Sequence, residues 1–305
     1  MTLPRYINRR GDLVLPQPYL GKGTHFNGFL FPFDPDIAQV RIIDRYLNQP
    51  AGFNRRFVPA IPFASVAFCS IDQLSCTIAP YDSWGYFPEN EAAIWMLLRD
   101  TVEDKVAWFH PYIYVDNGLA QSMGREVMGF PKQPGRIEMA ENRFALETLA
   151  LKQFRPNEAG GWTKLIEVRR TGERSDVEQL GSFAELAERL FGFLVRHGGL
   201  HLVTDLNLIK GLIHGEMNSV FLKQFRDVAD GTKACYQAVV QVPSQMTNLH
   251  NPCILDSDFQ IEIFECASEP IALDFGLTSP ILKPIVSFGV DFDFRFDDGV
   301  ELWRA

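Results

Sequence analysis

The sequence predicts a mainly β, α+β fold: a large sheet with a few helices packed outside it. Three observations predict it. From Phe57 to Val115, short apolar runs rich in Val, Ile, Phe, Trp and Tyr are broken by Pro, Gly and Asp, a texture that suits strands. Near the C-terminus, Phe288, Val290, Phe292, Phe294 and Phe296 alternate with Ser287, Gly289, Asp291, Asp293 and Arg295. Period two over that length defines a strand with one apolar and one polar face, long enough for a large curled sheet or barrel. Helical periodicity, in contrast, is confined to three short segments.

In chain order, residues 1–24 are rich in Pro, Gly and Arg and read as an extended arm. Residues 36–48 place Ile37, Val40, Ile43 and Leu47 on one helical face, with Arg41, Asp44 and Arg45 opposite, an amphipathic surface helix. The run at 91–98 suits a strand in context, although its Ala, Leu and Met also favour helix. Asp116 and Asn117 can cap a short helix, GLAQSMGREVM, that stops at Gly129. Ser182-Phe-Ala-Glu185 is a capping box opening a helix to about Arg196, ended by Gly198-Gly199. Residues 234–305 read as strands again, with Asp297-Asp298-Gly299 a turn. No linker or repeat divides the 305 residues, so one domain is expected, with about 152–205 as an insertion.

Composition narrows the function. Hydrophobic residues at 46% and charged residues at 22% fit a globular chain with a real core. A net charge of -9 argues against nucleic acid, which needs a basic face. Five scattered cysteines without CxxC spacing favour a reducing compartment over a disulfide framework or zinc site. The basic N-terminus lacks an apolar stretch of signal-peptide length, and the longest apolar run, Ala92 to Leu98, is too short to span a bilayer. A cytoplasmic protein without membrane partners is the expectation. His197 and His201 have i, i+4 spacing, but the glycines between them break the helix that a zinc pair needs. Gly21-Lys22-Gly23 lacks the rest of a phosphate loop and reads as a surface turn. No Gly-x-Ser-x-Gly elbow supports a serine hydrolase.

The segment that carries chemistry is Tyr112 to Arg136. Lys132 follows a rigid Pro131 among Met128, Phe130 and Pro134. An ammonium desolvated there would shift towards the neutral amine. A neutral amine attacks ketones and forms a Schiff base. The protonated imine then accepts electrons from a breaking C–C or C–H bond, so no metal or organic cofactor is needed.

Gly124-Arg125-Glu126, three residues, then Phe130-Pro131-Lys132 resembles the G-R-E-x-x-x-[FY]-P-K signature of the acetoacetate decarboxylase family. Tyr86-Phe-Pro-Glu89-Asn-Glu-Ala-Ala-Ile is similar to that family's glutamate-bearing segment, with Glu91 close to the aligned position, and Pro284-Ile-Val-Ser287 resembles the lead-in to its closing strand. The resemblance implies a large antiparallel sheet curled into a closed cone or barrel, with Lys132 as the Schiff-base lysine and Glu89 as its acid/base partner. It also implies a small-molecule keto acid as substrate and a homo-oligomer. Met128, Phe130, Gln133, Arg125 and Tyr86 are the expected substrate-binding residues.

The chain departs from the family at three places. Gln133 stands where founding members carry a second lysine, and an adjacent cation is how acetoacetate decarboxylase itself is known to activate its lysine. Lys132 must then rely mainly on burial, or on Arg125 or Arg136. No arginine occurs in His25-Phe26-Asn27-Gly28, and Cys69 lies where an acidic residue is expected. The expected activity is that of a lysine-dependent carbon–carbon lyase, a β-keto acid decarboxylase. Aldolase–dehydratase or cyclase chemistry on a larger keto acid, or a non-catalytic small-molecule-binding barrel, are the alternatives.

Overall fold

The structure, a computed structural model, describes residues 4–305 apart from 10, 13, 151–158, 173–176, 197–214 and 256–257. Strands β1 (Tyr19–Pro32), β2 (Phe57–Cys76), β3 (Phe87–Asp100) and β4 (Lys105–Val115) form a long antiparallel meander. The ladder continues through β5 (Lys132–Ala140), β6 (Arg143–Ala150), β7 (Gly161–Arg170), β12 (Phe259–Ile263) and β13 (Ile281–Leu282). On the other side of β1 lie β14 (Val286–Phe296), β11 (Ser244–Leu255) and β8 (Glu178–Gln179). A branch of β9 (Ser219–Arg226), β10 (Ala234–Val242) and β15 (Val300–Arg304) joins at β4, making a 15-stranded sheet. Among the described residues four α-helices accompany it: α1 (Pro35–Ala38), α2 (Gly118–Met123), α3 (Phe183–Arg196) and α4 (Ile271–Asp274). The segment at 91–98 is therefore strand, fixed by its pairing on both edges.

Two expectations about the sheet are corrected. It is mixed, because β4 pairs in parallel with both β5 and β9. The β4–β5 link needs a crossover, and α2 with the turn after it supplies one. Nor do the described ladders run round into a closed cone. β11 bends at Asn248 and Asn251, both at positive φ, and its register with β14 shifts there. Facing it, among the described residues, is only an isolated bridge, Glu216 to Gln245, flanked by backbone hydrogen bonds from Met217 to Ser244 and from Met246 to Gly215.

Local departures have local causes. Tyr19 to Pro32 is a strand, so the arm is shorter than residues 1–24, and Gly21-Lys22-Gly23 is a bulge in β1 and not a surface turn. The glycines are there because a Cβ on Gly21 would enter the Phe294 ring, and Gly23 sits at φ 63°. In the first helix, α1 runs into a π-turn at Gln39–Ile43. The wider turn shifts the buried set to Ala38, Ile42, Ile43 and Leu47, leaving Ile37 and Val40 exposed. The expected cap on α3 is present: Ser182 Oγ accepts from the Glu185 N–H, while Glu185 Oε2 accepts from the Gly181 N–H. Gly198, Gly199, His197 and His201 lie outside the described residues, as do 152–158, 173–176 and 197–205 of the stretch expected to be an insertion.

The two faces of the β1–β4 meander do different work. One packs against β6 and β12 through aromatic contacts: Phe144 lies 5.2 Å from Phe29, 5.4 Å from Phe68 and 6.4 Å from Phe259, centroid to centroid. The other face lines two cavities. Phe144→Ala is expected to destabilise the fold by about 3–5 kcal/mol, read as a lowered urea midpoint with an unchanged m-value.

Candidate active site

Strand register delivers the site. Phe292 of β14, Thr24 of β1, Ile71 of β2 and Glu89 of β3 are successive partners across the sheet. So are Val290, Phe26, Cys69 and Glu91, two residues away on the same face. Glu89, Glu91 and Trp95 therefore point to one side of β3. Lys132 opens β5 opposite Ile113 of β4, which is itself opposite Ala93. The lysine thus enters the same face two strands from the carboxylates.

The segment before Lys132 shows why its residues are as they are. Asn117 caps α2 by accepting from the Leu119 N–H. A π-turn at Gly124–Met128 follows and ends on Gly129 at φ 81°, a conformation that favours glycine. The Gly129 and Phe130 N–H groups both donate to the Gly124 carbonyl, closing the turn. A Cβ on Gly124 would lie 2.7 Å from Lys132 Cδ, so glycine is required for the lysine stem to pass. Arg125 Nη1 donates to the Lys132 carbonyl at 3.1 Å and fixes the backbone of the same residue. Phe130 packs 4.2 Å from Phe221.

Lys132 is 7% exposed and Glu89 2%. The lysine Nζ donates to Glu89 Oε1 at 2.5 Å and stands 3.4 Å from Glu91 Oε2. Burial is the largest single influence on Lys132 and pushes its pKa down, but the two carboxylates together outweigh it and the net shift is upward. The sequence expectation of a lysine made neutral by burial is corrected: at rest it is an ammonium held by anions. The opposing effect falls on Glu91, whose pKa burial raises to about 7 despite Lys132. His110 is driven down to about 3, first by burial and then by the Lys132 charge, and so is neutral.

These groups line a cavity of about 80 Å³ with Thr24, Cys69, Met128, Phe130, Ser219, Ser244 and Phe292, among others. Both ring nitrogens of His110, Trp95 Nε1, Thr24 Oγ1 and Glu89 Oε2 are buried there without hydrogen-bond partners. Lys132 is the one cation among the lining residues. Of the residues singled out in the sequence, Lys132, Glu89, Met128 and Phe130 meet here. Gln133 points to the other face of β5 and donates to Glu269 at 2.9 Å. Arg125 is outside the cavity, Arg136 lies over Trp162 at 4.1 Å, and Tyr86 is 62% exposed. Sequence reasoning missed His110 and Trp95 and underrated the closing strand: its Phe face lines the cavity as well as filling core. Among the described residues no cluster of three or more His, Cys, Asp or Glu is placed to hold a metal ion, and no helix is long and apolar enough to cross a membrane.

The buried lysine between two carboxylates thus sits in a mainly β fold of the acetoacetate decarboxylase-like kind. Residues 54–163, which carry both Glu89 and Lys132, match the family model "Acetoacetate decarboxylase (ADC)". In fold, the chain is similar to the acetoacetate decarboxylase of Legionella pneumophila subsp. pneumophila str. Philadelphia 1, with TM-score 0.60 and 14% identity over 100% of this chain and 93% of that one. It is also similar to an acetoacetate decarboxylase-like enzyme of Sphingomonas wittichii RW1, with TM-score 0.58 and 14% identity over 99% of each chain. A third is the enduracididine biosynthesis enzyme MppR, solved with pyruvate, with TM-score 0.54 and 14% identity over 96% and 93%. A comparison with curated proteins finds no match.

Gly124→Ala is expected to displace the Lys132 ammonium from Glu89 while sparing the fold. A crystal structure of the variant should show the Nζ–Oε1 contact lengthened, with a thermal midpoint within a few degrees of the parent.

Proposed function

We propose that this protein is a Schiff-base-forming carbon–carbon lyase acting on a β-keto acid, with Lys132 as nucleophile. The observation that carries this reading is the Lys132 ammonium buried against Glu89 and Glu91 in a cavity that has no other cation among its lining residues. The family match over residues 54–163 and the pyruvate complex of MppR support it.

The ammonium must lose a proton to become a nucleophile. Glu91, with its pKa raised to about 7, is a stronger base than an ordinary carboxylate and is the acceptor. The amine then attacks the carbonyl carbon, water leaves, and an iminium forms beside the Glu89 carboxylate. The bond to the substrate carboxylate breaks, its electron pair moves to the iminium nitrogen, and carbon dioxide departs. Glu91, which gave up that proton when water left, takes one from solvent and passes it to the enamine carbon, and water hydrolyses the resulting iminium to release the ketone and Lys132. The apolar walls favour the central step, because it converts a carboxylate and an iminium into two neutral species. His110, neutral and unpartnered, is a hydrogen-bonding group for the carbinolamine oxygen.

A second reading is favoured by Glu91 itself. A carboxyl that gains and loses a proton near neutrality also suits proton removal next to an imine, as aldol and dehydration steps require. MppR has been solved with the condensation product of pyruvate and imidazole 4-carboxaldehyde.

Borohydride reduction in the presence of acetoacetate, pyruvate and larger keto acids, followed by peptide mass mapping, tests the reading. A substrate-dependent adduct on Lys132 is expected, and its mass reports whether carbon dioxide left first. Absence of any adduct, with an authentic Schiff-base enzyme labelled in parallel, would leave only a small-molecule-binding protein. Lys132→Ala removes the cation from two buried carboxylates, a change worth about 3–5 kcal/mol of stability. Lys132→Arg keeps the charge and is the better inactive control. In kcat/KM against pH, the rate should rise through about pH 7 as Glu91 loses its proton and can accept that of Lys132. Glu91→Gln should abolish that limb and lower the remaining rate at least tenfold, the lower end of a general-base contribution being about 100-fold.

A further inference from the structure

A second, larger cavity of about 190 Å³ adjoins the lysine cavity. The two share Phe26, Trp95, Met217, Met246 and Phe292 as lining residues. Its floor is the sheet: Ile61 and Phe63 of β2, Leu97 of β3, Trp108 of β4, and Phe288 and Val290 of β14. Its roof is α3, whose Phe183, Leu186, Ala187, Leu190, Phe191 and Leu194 recur at helical spacing on one face. Among the described lining residues Ser65 carries the one hydroxyl, and none has a charged side chain.

From this we infer that the substrate is an amphiphilic carbonyl compound. Its carbonyl carbon lies at Lys132, and an alkyl or aryl tail fills the chamber under α3. The inference rests on the Lys132 reading for the position of the carbonyl, and on the chamber alone for the tail.

The physical argument has three parts. Protein interiors pack to native density with few voids larger than a water molecule, so an apolar space of this size beside a reactive group is a binding feature. Water gains little there, since a buried water needs two or more polar partners and these walls offer almost none. Polarity is also graded along one path. Lys132, Glu89, Glu91 and His110 lie at one end, the indoles of Trp95 and Trp108 in between, and aliphatic side chains of α3 at the other. A ligand with a polar head and an apolar tail fits in one orientation. A short polar keto acid would occupy only the lysine cavity and leave the chamber unfilled.

The test is a homologous series of 3-oxo acids from four to twelve carbons, with half-saturation of borohydride-trapped Lys132 as readout. Calorimetric binding of 2-nonanone, which needs no imine, runs alongside. Affinity should tighten roughly fourfold for each added methylene, about 0.8 kcal/mol each, until the chamber is full. Leu190→Trp, which fills the roof, should lower the preference for the eight-carbon acid over the four-carbon one at least tenfold. If acetoacetate is trapped but affinity is flat or falls with chain length, the tail pocket is overturned while imine formation stands. If nothing is trapped but 2-nonanone binds and Leu190→Trp weakens it, the tail pocket stands and the imine reading falls. If 2-nonanone does not bind, the inference is overturned whatever the trapping shows.

Discussion

The ion cluster of Lys132 with Glu89 and Glu91 is the constraint around which the rest of this structure is arranged. Removing three charges from water is costly, and mutual attraction compensates only where geometry is good and remaining polar groups are satisfied. The fold supplies the geometry through rigid elements. The two carboxylates sit on alternate residues of a strand in the middle of the sheet, and the lysine opens a strand whose start is fixed by Pro131, the Gly129 cap and the Arg125 clamp on its carbonyl. Gly124 leaves the lysine stem its only room. Gly124, Arg125 and Gly129 are thus accounted for by one requirement, that an ammonium be held at a fixed point against two anions.

In the proposed function, the cluster also removes the need for a second cation beside the lysine. Activation by a neighbouring positive charge lowers a lysine pKa directly. Here the neighbouring position, Gln133, faces away and bonds Glu269. The carboxylates raise the lysine pKa, and burial makes one of them basic enough to take the proton. In the proposed function, nucleophile and base are therefore tuned as a pair. His110, held neutral by the same burial, adds polarity without adding charge.

Much of this was legible in the sequence where local chemistry dictates structure. The Asn117 cap, the Gly129 stop, the Ser182 box and the period-two strand at 286–296 each follow from a residue's own backbone or face preference. Lys132 and Glu89 were reached through the resemblance of their segments to a family's motifs. What stayed hidden depends on register between distant strands. The placement of Glu91, Trp95 and His110 on one wall follows from β2–β3–β4 pairing and from a bulge near Tyr112, which no local pattern announces. The π-turn at 39–43 rotated a helical face that a 3.6-residue period assigned to Ile37 and Val40. The net pKa of Lys132 was misjudged for the same reason, since burial was visible in the sequence and the approach of both carboxylates was not. The α3 roof was legible only as a helix with a capping box, and its apolar face is the same whether it covers core or cavity.

The most direct test of the account is the protonation state of Lys132 in the resting protein, read by nitrogen NMR on a ¹⁵N-lysine sample and assigned with Lys132→Arg. The account predicts a resonance that remains that of an ammonium beyond the ordinary lysine value of 10.5. A signal already that of a neutral amine near neutral pH would contradict it, and would mean that burial, not the Glu89–Glu91 pair, governs this lysine.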